Sequence, residues 1–441
     1  MLAINHHVRA TGDVAWLRAI YPSVARAADY ILAQVDDRGL VFCSARDERG
    51  NVWAIAGWRN VIAGYTLNGA VTEINAECAA ALRAAGHLAE LADDRVGADR
   101  YATGGRSIAS AMDAHLINPE NGLYYLNIDA DGVVHTDVTG DELFPVMFRV
   151  CSEETGYRVI RRLNASDFWT SAGLRTISQH DPLYDPSGNV GLLGGVWPGL
   201  TWWYAFASAR YHPEFMVAAL RASFQHYAAN PRKNNTVPGQ FGEYFDGESL
   251  INRGMRLSPW EPPRYFWAAI EGVCGVMLTT GALRVAPLVP ASWKWVALKR
   301  LPYQGREITY VAARRGGAFH LYVVGDVECD FPMQRYETDV STSVVAPSGA
   351  SIVVLVRADE TLVFVGSHDE GTYTIGLSSV LSLGRSYNVE TYDSERDAWQ
   401  STVIDTAIPV DSIGLSIEPG GYRIISLRSP RRNGIAVNDE A

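Results

Sequence analysis

The stretch Gly239–Ser249, GQFGEYFDGES, sets three acids, Glu243, Asp246 and Glu248, among Phe241, Tyr244 and Phe245. Carboxylates exchange protons and accept hydrogen bonds from hydroxyls; aromatic rings stack on flat apolar faces. A solvated loop has little use for three aromatics, and a core rejects acids without partners. The combination suits a ligand that is polar yet has a ring-shaped face, as a sugar does. Asp246 and Glu248 are followed by turn residues and read as turn formers.

Two other stretches carry similar material. Cys43–Cys78, CSARDERGNVWAIAGWRNVIAGYTLNGAVTEINAEC, holds Asp47, Trp53, Trp58, Arg59 and Asn60, then enters a helix at GAVTEIN with Glu73 and Asn75. Ser187–Ala209 holds glycines that let backbone approach a ligand, Trp197 for stacking, and Pro198 placed to open a helix. The acidic stretch itself runs on through Trp260 towards a further helix. Each residue has a plainer reading beside the functional one. Glu73 can serve only to cap or salt-bridge a helix, and Arg59 only to pair with a carboxylate. Trp202 and Trp203 sit inside a helical run and read as core, whereas Trp197 reads as site. In HTDVTGDELFP, Asp137, Asp141 and Glu142 are ambiguous, because Thr139 or Asp141 can cap the helix that follows. No GxSxG, HExxH or P-loop pattern occurs, so serine-nucleophile, zinc and nucleotide chemistries gain no support. Five cysteines, odd in number and widely spaced, read as reduced thiols; neither metal nor cofactor is expected.

The elements that position these residues fall into two regimes. To about residue 282 apolar residues recur at helical spacing, over 14–35, 71–91, 97–115, 141–163, 199–229 and 262–281. The loops between are longer than the ~2–8 residues of plain helix connections, and long loops on a rigid scaffold carry function. From about residue 285 short alternating strands follow, such as REITYVAAR and TLVFVGS, which read as a β-sandwich. The expected division is a helical catalytic domain over 1–284, a β-sandwich over 285–429 and a tail over 430–441. Of 441 residues 47% are hydrophobic, ample for more than one core. A net charge of −11 without a basic cluster argues against nucleic acid and anionic membrane as partners. No apolar run reaches the ~20 residues of a membrane span, and the first residues lack a signal-peptide pattern, so a cytoplasmic location is expected.

Several of these stretches resemble one family. GAVTEINAECAAAL resembles the VEIN helix start of the glucosidase half of glycogen-debranching enzymes. GEYFDGE…RG…SPW resembles their SEIFDGD…RG segment and the SEQYD of bacterial glucoamylases. ENGLYYLN, GGVWPGLTWW and PLVPASWKWVALKRLPYQGREITYVAAR are also similar to six-hairpin glycosidases, over roughly residues 10–320. The resemblance implies a mainly α fold, an (α/α)6 barrel of twelve helices followed by the β-domain. It also implies an inverting hydrolase of an α-linked gluco-oligosaccharide or similar glycoside. In such enzymes one carboxylic acid protonates the leaving oxygen, and a carboxylate ~6.5–9.5 Å away deprotonates the attacking water. Glu243 takes the position of the family's general base. Asp47 takes the place of its general acid, with Glu73 and Asp141 as alternatives. The implied substrate-binding set is Trp53, Trp58, Arg59, Asn60, Glu73, Asn75, Asp141, Trp197, Tyr244 and Trp260.

About nine helices are expected before the β-domain, not twelve, and residue 1 reads as the inside of a helix. The early barrel helices are thus expected to be missing. The stripe Leu17, Ile20, Val24, Ala27 and Ile31 would then stay uncovered and promote self-association. An inverting disaccharide phosphorylase of the same architecture and a non-catalytic carbohydrate-binding fragment are the alternative readings.

Overall fold

Helix α1 (Leu2–Thr11) ends at Gly12, whose φ of 71° only glycine adopts freely. Asp13 then opens α2 (Val14–Ala33), its carboxylate accepting the Trp16 amide at 2.8 Å. The computed structural model describes residues 1–43, 57–59, 64–381, 387–404 and 412–428. Strand β1 (Ala70–Val71) leads into α3 (Thr72–Leu91), and α4 (Arg95–His115) returns along it. Strands β2 (Asn127–Ile128) and β3 (Val134–His135) form a hairpin whose first strand pairs with β1.

Three long helical stretches expected from periodicity are broken. Residues 141–163 form a 3-10 turn (Gly140–Glu142), α5 (Leu143–Met147) and α6 (Glu153–Leu163). Arg149, at φ 54°, stops the first part, and Ser152 caps the second by accepting the Thr155 amide at 3.1 Å. Residues 199–229 divide into α7 (Pro198–Ser208) and α8 (Pro213–Ala229), because Pro213 has no amide to continue the ladder. The turn α9 (Pro231–Asn234) follows. The last, α10 (Glu261–Trp267), widens into a π turn over Ala268–Val273 and gives way at Gly275, φ 66°, short of residue 281.

Helix α3 is central, touching α1, α2, α4 and α5; α5 meets α7, which packs on α8 and α10. The first helix is tied to the end of this unit by His6 Nε2–Glu271 Oε1 at 2.5 Å and by Arg9 Nη1 donating to the Leu278 carbonyl at 3.5 Å. The α2 stripe is not bare. Leu17 and Val24 are buried and Ile20 and Ile31 half-buried, because α3 and α4 of the same chain cover them; Ala27 alone is exposed. The exposed large apolar side chains of α2 are Trp16 and Tyr30, off that stripe.

The chain divides into two compact units at Thr280/Gly281. In the second, β4 (Trp295–Tyr303), β5 (Arg306–Arg315), β6 (Ala318–Val324) and β7 (Met333–Tyr336) form one sheet in the order β7-β6-β5-β4. A six-stranded sheet follows, with β8 (Thr338–Asp339), β9 (Ala350–Arg357), β10 (Glu360–Ser367), β12 (Tyr387–Asp393), β13 (Ala398–Ile404) and β15 (Tyr422–Arg428) in the order β8-β9-β10-β15-β12-β13. Strands β11 (Gly371–Gly376) and β14 (Ser412–Ile417) make a separate pair. Alternation explains the layering. Val353, Leu355, Leu362 and Phe364 face Val311 and Tyr322 of the four-stranded sheet. Their neighbours Ile352, Val354, Val363 and Val365 face Tyr373, Ile375 and Leu415 of the pair. The middle sheet is thus buried on both faces, which is why its strands read as unbroken apolar runs. Among the described residues no helix is long and apolar enough to cross a membrane.

Candidate active site

Pairing of β1 with β2, and the exchange of amide and carbonyl between Cys43 and Gly69 (2.9 and 2.7 Å), fix the start of α3. Glu73 stands in its first turn, 3% exposed. Its Oε1 accepts the Trp58 amide at 2.9 Å. Gly57, at φ 118°, presses so close that a Cβ would fall 2.4 Å from Glu73 Oε2, so a larger residue there would be strained and would have to displace the Glu73 carboxylate. The Trp58 indole donates to Asp141 Oδ1 at 2.8 Å, so one residue ties two carboxylates together. Arg59, wholly buried, donates from Nε to Asp141 Oδ2 at 2.9 Å and from Nη2 to Thr139 Oγ1 at 3.1 Å. Thr139 Oγ1 also accepts the Asp141 amide at 3.3 Å, so Thr139 rather than Asp141 caps the turn. A cavity of about 10 Å3, room for one water, lies between Glu73, Asp137, Thr139, Asp141 and Glu142.

Three glutamates here resist ionisation. Burial, then the charges of Asp141 and Glu77, push the Glu73 carboxyl well above the usual range. Glu77, one turn along α3, is raised to about 7 by burial and Asp141. Burial does the same to Glu142, against the Tyr124 amide that its Oε2 accepts at 3.2 Å.

Trp197 and Tyr244 are brought together by backbone. Val196 and Phe245 exchange amide–carbonyl bonds of 2.9 and 2.8 Å, which sets the neighbouring rings face to face, 5.3 Å apart and 14° from parallel. Pro198 does open α7. Trp58 meets Trp197 edge-on at 5.6 Å and so joins the two halves of the site. Glu243, half-buried beside this stack, is clamped by one residue: its amide donates to the Met255 carbonyl and its Oε2 accepts the Met255 amide, both at 2.9 Å. Gly254 permits the clamp, since a Cβ there would lie 2.6 Å from Glu243 Oε2. Asp246 accepts the amides of Glu248 and Ser249 at 3.0 and 2.8 Å, so this acid forms the turn expected of it.

Sequence reasoning missed Glu261, Arg264 and Trp203. Trp203, read as core, is half-buried and edges Trp58 at 6.0 Å, with the Arg264 guanidinium 4.4 Å from its ring centre. Trp202, one residue earlier on α7, is the buried one. Glu261 is wholly buried at the start of α10; Oε1 accepts Arg264 Nη1 at 3.0 Å, and the carboxylate also faces the backbone amide of Gly199 in the first turn of α7. Burial, opposed by Arg264 and reinforced by the charge of Glu243, raises it to about 8. Nothing in WEPPRYFW marks this acid, because an acid in a first helical turn is ordinary.

Not every expected residue joins. The Asn75 amide is spent within the fold: Oδ1 accepts the Val41 amide at 2.7 Å, and Nδ2 donates to the carbonyls of Val41 and Val71 at 3.0 and 2.9 Å. It is wholly buried and ties a loop to α3 instead of facing a ligand. Trp260 stands exposed before α10. Asp47, Trp53 and Asn60 lie outside the described residues.

A helical domain of this make, with clustered carboxylates and indoles and followed by a β-rich unit, is that of a six-hairpin glycosidase. Residues 1–254, more than half of the chain, match the model of the mannosylglycerate hydrolase MGH1-like glycoside hydrolase domain, and the chain belongs to that family. The match carries nothing specific to debranching enzymes or glucoamylases. Among solved structures, the GH78-family rhamnosidase of Bacillus sp. GL1 is similar at 19% identity and a TM-score of 0.55, over 76% of this chain and 32% of its own. A protein described as a sialidase is similar at 17% and 0.53, over 72% and 30%. The GH63 mannosylglycerate hydrolase from Thermus thermophilus gives 19% and 0.33, over 46% of each chain. The likeness to the first two is one of fold, and this chain spans about a third of their length. No curated protein matches it.

Proposed function

We propose that this chain is an inverting glycoside hydrolase of α-linked gluco-oligosaccharides or similar glycosides. Its helical unit would be an (α/α)6 barrel, with Glu243 as general base and Asp47 as general acid. The observation that carries the reading is the state of Glu243: a half-buried carboxylate, held at one oxygen by the Met255 amide, beside the stacked Trp197–Tyr244 pair. Held so, its other oxygen has no partner among the described residues and can take a proton from water while the rings bear the sugar face. The general acid donates its proton to the glycosidic oxygen, the C1–O bond breaks, and water adds to C1 from the opposite face as Glu243 removes its proton. Described residues flank the segment holding Asp47: Cys43 pairs with Gly69, just ahead of α3, and Gly57 lies on Glu73. Trp58, Arg59, Glu73, Asp141, Trp197 and Tyr244 would line the sugar site, with Trp53, Asn60 and Trp260 at its margin. Five free cysteines suit a reducing compartment such as the cytoplasm.

The test is the anomer first released from an α-glycoside, followed by NMR. A β product that appears without added phosphate supports the reading. Release of a sugar 1-phosphate only when phosphate is present would make the chain a phosphorylase.

A further inference from the structure

Helix α7 opens on a tryptophan. Trp197 holds the position before its first turn, where serine, threonine and aspartate are favoured because their side-chain oxygens accept the first free amides. An indole has only a donor and cannot cap in this way. Pro198 brings no amide, so the Gly199 amide is the first that needs an acceptor. That acceptor comes from another helix: the wholly buried Glu261 carboxylate at the start of α10 faces the Gly199 amide. A Cβ on Gly199 would lie 2.8 Å from Glu261 Oε2 and 2.4 Å from Arg264 Nη1, so a side chain there would have to push the pair aside. Glu261 in turn holds Arg264 at 3.0 Å, and the Arg264 guanidinium lies 4.4 Å from the ring centre of Trp203 in the second turn of α7. Trp197 and Trp203 both meet Trp58 edge-on, at 5.6 and 6.0 Å. The Trp197 indole donates to no partner among the described residues, so backbone and neighbouring rings alone set its place.

Resting on the glycosidase reading above, we infer that Glu261 is a positioning residue: it caps α7 where Trp197 cannot, and so holds Trp197 against Tyr244 and Trp203 against Trp58 as the wall that bears the sugar. The arrangement lets a stacking ring stand where a capping side chain is otherwise needed. Burying a carboxylate is costly. Two donors offset that cost, and both support the wall, the Gly199 amide in the turn after Trp197 and Arg264 on the face of Trp203. Glu261 has no exposed surface with which to touch a sugar, so its effect passes through the rings.

Steady-state turnover of an α-glycoside by the whole chain, together with near-ultraviolet circular dichroism, tests this. Glu261→Ala removes the acceptor and should raise KM about tenfold, the worth of one cap or one ring pair. Its kcat should change little, because the reacting groups are untouched. It should also lose the part of the aromatic dichroism that Trp197→Ala loses. Glu261→Ala leaves Arg264 buried without its partner and can cost the fold, so Gly199→Ala is the second probe. It pushes the pair aside while keeping both charges, and should move KM and the dichroism in the same direction. Glu261→Gln keeps an acceptor oxygen and should bring both readouts most of the way back to the parent's. Folded variants that keep the parent's KM and dichroism, or a Glu261→Gln as impaired as Glu261→Ala, would overturn the positioning role and leave the glycosidase reading standing. A parent that cleaves no α-glycoside would sink that reading instead. The dichroism then decides alone: an unchanged aromatic signal in folded Glu261→Ala and Gly199→Ala overturns the inference, and its loss upholds it.

Discussion

A carboxylate works as a base only while it is charged, oriented and within reach of water, and the Met255 clamp meets the second of these needs for Glu243. Glu243→Gln keeps the shape and the clamp's acceptor but cannot take a proton. Turnover of an α-glycoside should fall by ~10²–10⁴-fold with the melting temperature nearly unchanged; an active variant would remove Glu243 from the base role. Trp197 belongs to the wall, since one face stacks on Tyr244 and its edge meets Trp58. Trp197→Ala should raise KM more than it lowers melting temperature, and a cooperative loss of fold with KM unchanged would make it a core residue. At this scale the sequence was informative where chemistry and neighbours coincide. Glu243 and Trp197 stood out because an acid or an indole lay among glycines and rings. Glu261 and Trp203 did not, because what makes them notable is burial against Arg264 and contact with Trp58, which spacing along the chain does not encode. Asn75 misled for the converse reason: an amide near a helix start serves backbone as readily as a ligand.

Between residue and molecule stand the connections that carry the chemistry. The short segment Gly57–Arg59 joins the start of α3 to the turn at Asp141 through four side-chain or backbone donors, and it does so from a left-handed glycine. Gly57→Ala should therefore strain φ and drive Cβ into Glu73, costing about 1 kcal/mol or more. The sharper readout is Trp58: its emission should shift to that of a solvated indole if the strain releases the segment. Unchanged emission and unchanged denaturation midpoint would show that Glu73 yields instead. Helix positions followed well from periodicity, and so did the strands of the second unit, where apolar runs met turn residues. Helix ends did not, because the breaks at Arg149 and Pro213 and the π turn after Trp267 depend on backbone geometry and on caps such as Ser152, which a 3.6-residue period passes over. The cover over the α2 stripe was likewise invisible, since which helices pack on a stripe is a matter of tertiary contact.

For the molecule as a whole, buried acids link function to stability. Glu73, Glu77 and Glu261 hold their protons more tightly folded than unfolded, where a glutamate titrates near 4.3. Between that pH and about 7 for Glu77, or about 8 for Glu261, the folded state binds more protons than the unfolded one. Stability must then fall as pH rises through this window, and Glu77 and Glu261 add no further loss above it. A protonated glutamate and a glutamine are alike in charge and nearly alike in shape, so Glu261→Gln should match the parent at pH 5.5 and exceed it at pH 8.5. Glu77→Gln should show the same sign, with its gain complete at lower pH. Urea midpoints at the two pH values measure both. If parent and variants lose the same stability between pH 5.5 and 8.5, the folded protein must already accommodate these carboxylates as charged groups.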